Sequence, residues 1–256
     1  MSGLDAFPGM GLDEVVAAAD LQTRTDTKYL LSPERYRWFR DRLADSGDWA
    51  CLDIGGRRRF SYESVYFDTP DLLTYRQHRQ GRRRRFKVRT RLYADSGECA
   101  FEVKVKGARQ DTVKERLPYA ASDAAVITAD AAAHLARTLW DAYGMRVPAG
   151  LEARLRTDYR RHTLVDPAAG VRITCDEDLR CVSESGAVES RPVSLVEVKS
   201  AKEGGAADRL LWSMGARPVP VSKYCLAVAV LAPGMHGNPW ARALHECFPG
   251  VSRVRA

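Results

Sequence analysis

The sequence contains no C-x-x-C pair, and its five histidines are dispersed without metal-ligand spacing. That excludes a zinc-finger-type domain or any other Cys/His-caged metal centre. Long apolar runs are also missing. The best, Tyr224 to Ala232, is broken by Pro233, well short of the ~20 residues a membrane-spanning helix needs. The N-terminus opens with Asp5, Asp13, Glu14 and Asp20 among alanines, unlike the basic and apolar regions of a secretory signal. Internal repeats and low-complexity linkers are absent, so one domain is expected. The six cysteines (Cys51, Cys99, Cys175, Cys181, Cys225, Cys247) are scattered. In a chain this long they are expected to be reduced, mostly buried thiols of a cytoplasmic protein.

What is present is a globular composition with a localised charge. The 256 residues are 45% hydrophobic and 29% charged, enough to bury one large core and unlike a disordered, collagenous or coiled-coil chain. The net charge is +7, yet the segment from Arg76 to Arg91 holds nine basic residues and no acid, and without those nine the remainder carries −2. A surplus concentrated in one segment points to an anionic partner. The plain alternative for Arg82 to Arg85 is a solvated arginine loop.

Period-two alternation marks several strands. In Arg85 to Leu92 the odd positions are cationic and the even ones mainly apolar. In Cys99 to Lys106, Phe101, Val103 and Val105 share one face, and Glu102, Lys104 and Lys106 the other. Gly107 to Asp111 can turn the chain into Thr112 to Pro118, completing an antiparallel meander. Further strands are expected at 24–31, 61–68, 151–165, 171–176 and 193–199. Ser32-Pro33-Glu34 starts a helix with Tyr36, Phe39 and Leu43 on its apolar stripe. Ser122 to Tyr143 reads as a helix ending at Gly144, and Ala206 to Met214 as a short one. Ser222 to Leu231 is ambiguous, with Ser222 able to cap a buried helix. Residues 1–21 read as a poorly specified leader, 22–232 as the domain, and 233–256 as an irregular tail with one turn around Trp240.

Strands with one apolar face and one face dense in Lys, Arg and Glu fit either an open, half-solvated sheet or a closed barrel. Like charges opposite one another destabilise a sheet unless something neutralises them. The expectation is therefore an α+β fold, a closed antiparallel β-barrel with helices packed outside and a cationic lumen that binds a polyanion. Glu102 and Glu197 would then serve as hard ligands for Mn²⁺ or Mg²⁺.

The motifs Arg24-Thr25-Asp26-Thr27-Lys28-Tyr29, Ser64-Val65-Tyr66-Phe67-Asp68-Thr69, Lys87-Val88-Arg89-Thr90-Arg91 and Phe101-Glu102-Val103-Lys104 occur in that order. They are followed by Leu155 to Arg161, Val171 to Asp176, Val196-Glu197-Val198-Lys199 and Ser222-Lys223-Tyr224. Together they resemble the VTC domain, the catalytic module of the vacuolar transporter chaperone polyphosphate polymerase, within the triphosphate tunnel metalloenzymes. The resemblance implies that Lys28, Arg89, Arg91, Lys104, Arg161, Arg172 and Lys223 contact a triphosphate. It makes Glu197 a metal ligand, with Glu102 as a second candidate. Lys87, Lys106, Lys114, Arg116 and Lys199 follow as substrate-binding candidates. One departure is visible. The related cyclase and thiamine-triphosphatase branch opens with E-x-E-x-K, whereas Arg24 replaces the first acid here, which argues against that branch.

By resemblance, the leading expectation is a metal-dependent polyphosphate polymerase that transfers the γ-phosphoryl group of ATP to phosphate or a growing chain. A triphosphatase acting on inorganic or nucleoside triphosphate would use the same residues. A non-catalytic polyphosphate- or inositol-phosphate-binding module is the reading from another class. The expected partners are ATP and polyphosphate, with a separate membrane partner needed to couple synthesis to translocation. A nucleic-acid partner is not expected, because no helix-turn-helix, zinc-finger or RNP pattern accompanies the arginine run.

Overall fold

A computed structural model describes residues 3–18, 25–107, 112–201 and 204–250. Its elements in chain order are β1 (Gly9–Met10), α1 (Leu12–Ala18), β2 (Thr25–Leu31), α2 (Pro33–Ser46), β3 (Ala50–Leu52), β4 (Phe60–Asp68), α3 (Leu73–Arg79), β5 (Phe86–Tyr93) and β6 (Glu98–Lys106). They continue with β7 (Thr112–Tyr119), α4 (Ala129–Tyr143), β8 (Glu152–Asp166), β9 (Val171–Ser183), β10 (Gly186–Glu189), β11 (Ser194–Ser200), α5 (Ala206–Ser213), α6 (Lys223–Leu231) and α7 (Ala241–Cys247).

The strands form one sheet in the order β2-β11-β9-β8-β4-β5-β6-β7, with β3 and β10 at its margins and β1 beside β3. Alternation sorts each strand's side chains onto two faces. On the outer face Phe86, Val88, Phe101, Val103 and Val105 pack under Leu135 and Leu139 of α4. Tyr29, Leu31, Ile173, Cys175, Val196 and Val198 pack under Tyr36, Phe39 and Leu43 of α2 and Leu211 of α5. Burying such side chains stabilises by about 1.5–3 kcal/mol each, and truncating the fully buried Phe101 to Ala would cost about 3–5 kcal/mol. Helix starts follow the expected caps: Ser32 accepts from Arg35 N, and Ser222 from Cys225 N.

The inner face carries α6, which is buried over nearly its whole circumference, Tyr224 to Val228 included. It lies against Leu155, Tyr159, Leu179 and Cys181, together with Trp240, Ala243, Cys247 and Phe248. The wings on either side sense each other's charge. Lys28 on β2 disfavours the cation of Lys87 on β5, and Glu197 on β11 favours that of Lys104 on β6.

The expected closed barrel is not formed: β2 and β7 end the ladder and do not pair. The free edge of β2 is met instead by the segment before α6, where Val219 N donates to Lys28 O at 2.8 Å. Pro218 and Pro220 flank that bond and have no N–H to extend a ladder. The edge of β7 presents exposed Lys114, Glu115 and Arg116, and Pro118, features that block edge-to-edge pairing.

Other expectations shift at their ends. The helix placed at 122–143 begins at Ala129, because Thr128 caps it (3.3 Å to Ala131 N) and Thr90 Oγ1 holds Ala124 O at 2.7 Å. Gly144 ends it with φ 62°, a left-handed conformation that glycine adopts freely. Strand β9 runs on to Ser183, past the expected end at Asp176. The segment read as a leader places Leu4, Phe7 and Val15 in the core. The tail forms α7 and buries Trp240 and Cys247. All six cysteines are free and buried. Arg24 and the 108–111 turn lie outside the described residues. No described helix is long and apolar enough to cross a membrane.

Candidate functional site: the inner cationic face

Register decides which charges meet. On one wing, β5, β6 and β7 align Arg89, Glu102 and Arg116 in one row and Lys87, Lys104 and Lys114 in the next. Glu102 has no exposure to solvent. Arg89 grips its Oε2 through Nε at 2.8 Å and Nη2 at 2.6 Å, while Lys114 (3.6 Å) and Arg116 (3.5 Å) flank Oε1. Burial alone would raise its pKa, yet Arg89, Arg91, Lys114 and Lys104 hold it well below the usual carboxylate range.

The lysine row has no carboxylate in register. Arg89, burial and Arg91 push Lys104 well below its usual value, despite the opposing pull of Glu102 and Glu197. Burial, with Arg116, Arg91 and Arg89, brings Lys114 down to about 8. Lys106 ends the same face of β6, opposite Thr112.

On the other wing each strand pair brings its own acid. Lys28 lies opposite Glu197 (3.7 Å), and Lys199 reaches both Glu197 (2.9 Å) and Asp26 (3.2 Å). Arg172 pairs in register with Lys199. Arg161 takes Asp176 in a fork, Nε to Oδ1 at 2.5 Å and Nη2 to Oδ2 at 2.8 Å, and Lys223 at the start of α6 donates to the same carboxylate. Burial opposes ionisation of Glu197 and Asp176, but Lys28, Lys199 and Arg161 hold the former, and Arg161 and Lys223 the latter, well below the usual range.

Between the wings stands a tyrosine wall. Tyr62 and Tyr159 are register partners and stack at 5.4 Å with a 9° interplanar angle. Arg161 lies 5.1 Å from the Tyr62 ring, Arg91 5.6 Å from the same ring, and Lys223 4.3 Å from that of Tyr159. These cation–π contacts fix the cations on the inner face. Arg89 Nη1 donates to Tyr66 OH at 3.2 Å, Tyr66 stacks on Tyr224, and Tyr224 donates to the buried Asp68.

By strand parity the cations of the expected phosphate site thus share the inner face, with Lys223 on α6 above it. Arg82 to Arg84 stay exposed, while Arg85 borders a cavity of about 470 Å³ shared with Lys28, Lys87 and His78. Burial, with Lys87 and Arg85, drives His78 down to about 3, so this ring is neutral at ordinary pH. Sequence reasoning missed Asp176 as a partner of two site cations, although it shares the parity of Arg172. It also missed Tyr62 and Tyr159, whose role depends on register.

No described group of three His, Cys, Asp or Glu residues forms a complete cation cage. Magnesium-type ions are commonly held by one or two carboxylates together with substrate phosphates. Glu197 and Asp26, which share Lys199, suit such an ion. Glu102 gives its Oε2 to Arg89, while its buried Oε1 makes no hydrogen bond and has Lys114 and Arg116 at 3.6 and 3.5 Å, so an ion there would sit among cations.

Comparison with known protein families matches residues 23–232 to the VTC domain. The chain belongs to the VTC domain family. With it, the chain falls within the triphosphate-tunnel superfamily of enzymes. Among solved structures, a candidate adenylate cyclase from Bacillus halodurans shares the fold at TM-score 0.51 and 16% identity, over 78% of this VTC domain chain and 94% of that one. A candidate adenylyl cyclase from Hippeastrum with a dominant triphosphatase activity aligns at TM-score 0.47 and 16% identity, over 82% and 98%. A Pyrococcus horikoshii protein aligns at 0.38 and 11%, over 75% and 88%. Comparison with curated protein sequences gives no match.

Proposed function

We propose that this VTC domain is a metal-dependent enzyme that binds a triphosphate on its inner face and transfers the terminal phosphoryl group to water. The observation that carries the reading is the row Lys87, Lys104, Lys114 beside Arg89 and Arg91, where Glu102 is the one acid in register with these cations on the inner face among the described residues. Three like charges in register are unfavourable in an empty site, and a polyanion supplies the missing charge. Phosphoryl transfer asks the protein mainly for alignment and for stabilisation of charge on the transferred group. The arginines of β5 and β8 offer forked donors that match phosphate oxygens. Glu197, with Asp26, would hold a Mg²⁺ or Mn²⁺ ion, whose chemistry is to neutralise phosphate charge and assist the leaving group.

The family match favours a second reading, in which the acceptor is phosphate or the end of a polyphosphate chain and ATP is the donor. Such an acceptor is ionised at neutral pH and needs no general base. The deciding experiment incubates the purified protein with Mn²⁺ or Mg²⁺ and either ATP or inorganic triphosphate, then resolves the products. Release of free phosphate is expected. Chain growth with ADP release would replace the first reading by the second, and tight binding without turnover would make the domain a polyanion-binding module.

A further inference from the structure

Asp68, the last residue of β4, is fully buried, and neutral donors surround its carboxylate. Thr69 N and Thr74 N donate to Oδ1, both at 2.8 Å, and Thr74 Oγ1 and Tyr75 N donate to Oδ2 at 2.7 and 3.0 Å. These bonds hold the turn into α3 and supply partners to N–H groups that a helix start leaves free. A further bond comes from Tyr224 OH on α6, 156 residues along the chain. Burial, then the charge of Asp68, pushes the Tyr224 phenol well above its usual value, so the hydroxyl stays a donor. Capping α3 does not require this last bond.

What the bond does is fasten the first turn of α6. The approach to that turn is tied to β2, where Val219 N donates to Lys28 O at 2.8 Å and Lys28 Nζ to Val221 O at 3.4 Å. Ser222 caps the helix by accepting from Cys225 N at 3.3 Å. Lys223 then reaches β9, donating to Asp176 and standing 4.3 Å from the Tyr159 ring. Consecutive helix residues point ~100° apart, and Tyr224 accordingly turns towards β4. Its ring stacks on Tyr66 at 5.0 Å and its hydroxyl ends on Asp68. A lysine side chain is long and has many rotamers. Where its ammonium settles therefore depends on how firmly its backbone is held, and the neighbouring Tyr224 holds it.

We infer that Asp68 and Tyr224 are positioning residues for the phosphate site: their bond fixes the first turn of α6 and thereby holds Lys223 over Asp176 and Arg161 before a ligand arrives. Resting on the function proposed above, the inference adds two residues that act on a bound triphosphate only through Lys223. A cation placed in advance loses little freedom when phosphate binds, and a misplacement of ~1 Å can lower a rate by about a hundredfold.

The test is a pair of double-mutant cycles. Tyr224→Phe keeps the ring on Tyr66 and removes only the bond to Asp68. It is made in wild type, in Lys223→Met and, as the comparison, in Lys114→Met on the opposite wing. Kinetics follow phosphate release from inorganic triphosphate with Mg²⁺, and calorimetry gives the metal-free Kd of inorganic triphosphate. Expected for Tyr224→Phe is a roughly tenfold loss of kcat/KM and a rise of about threefold or more in Kd. In Lys223→Met the same change should alter either quantity by less than about twofold, whereas in Lys114→Met its full effect should persist. Asp68→Asn, which keeps the shape of the carboxylate, should show the same dependence on Lys223, so the result does not hang on one variant. Effects that multiply equally with both lysine changes would mean a general loosening of the fold and would overturn the inference, as would an unchanged kcat/KM and Kd in Tyr224→Phe. If wild type releases no phosphate, the hydrolytic reading alone fails, because the cycle in Kd still decides whether Tyr224 acts through Lys223.

Discussion

The two wings of the inner face use the same cations in different company. On β2, β11, β9 and β8, Asp26, Glu197 and Asp176 lie within ion-pair distance of Lys199, Lys28, Arg161 and Lys223. On β5, β6 and β7, Glu102 alone stands among Arg89, Lys114 and Arg116, with the lysine row beside it. The first wing sets three acids against five cations, Arg172 included, while the second sets one acid against six, Lys87, Arg89, Arg91, Lys104, Lys114 and Arg116. That asymmetry is what the function proposed above rests on, with a metal on the first wing and most of the phosphate charge on the second.

The largest expected effect comes from removing the second wing's lone acid. Glu102→Gln leaves buried cations uncompensated and should cost about 3–5 kcal/mol, read as a lowered melting temperature. Saturating inorganic triphosphate should restore more stability to this variant than to wild type, because it replaces the missing charge and binds only the folded state. Equal ligand-induced shifts in both proteins would erase the distinction between the wings. Next, Glu197→Gln on the first wing should lower kcat by about a hundredfold or more while metal-free binding of inorganic triphosphate changes little. Undiminished metal-dependent turnover would remove Glu197 from the site.

A pH profile sharpens the contrast. With Lys114 lowered to about 8, a bound polyanion favours its protonated form, so binding above that pH must recruit a proton. Affinity for inorganic triphosphate should therefore fall as pH rises past 8, and Lys114→Arg, which keeps its charge, should flatten that limb. The same depression means stability rises with pH from about 8 towards the unfolded lysine value near ~10.4, because the unfolded chain holds the extra proton. The smallest effect belongs to the exposed run. Replacing Arg82, Arg83 and Arg84 by Gln should raise KM only a few-fold and weaken its salt dependence, since these side chains act over a screening length of ~8–10 Å. A loss of kcat in that variant would mean that the run touches the reacting group.

The sequence by itself determined which residues share a face, because side chains alternate along a strand whatever its neighbours do. Lys87, Arg89 and Arg91 oppose Phe86 and Val88 by parity alone, and the caps Ser32 and Ser222 were legible from local chemistry. The sequence could not determine closure of the sheet. Closure depends on what occupies two edges far apart in the chain, and Val219 takes the one on β2. It also hid the second half of β9, where Asp178 shifts the alternation so that Leu179 and Cys181 turn towards α6. Only the tertiary structure decided register, and register is what set Tyr62 against Tyr159 and left the lysine row without an acid. Strand pairing is a choice among many alignments of similar local energy, and only the assembled core selects one.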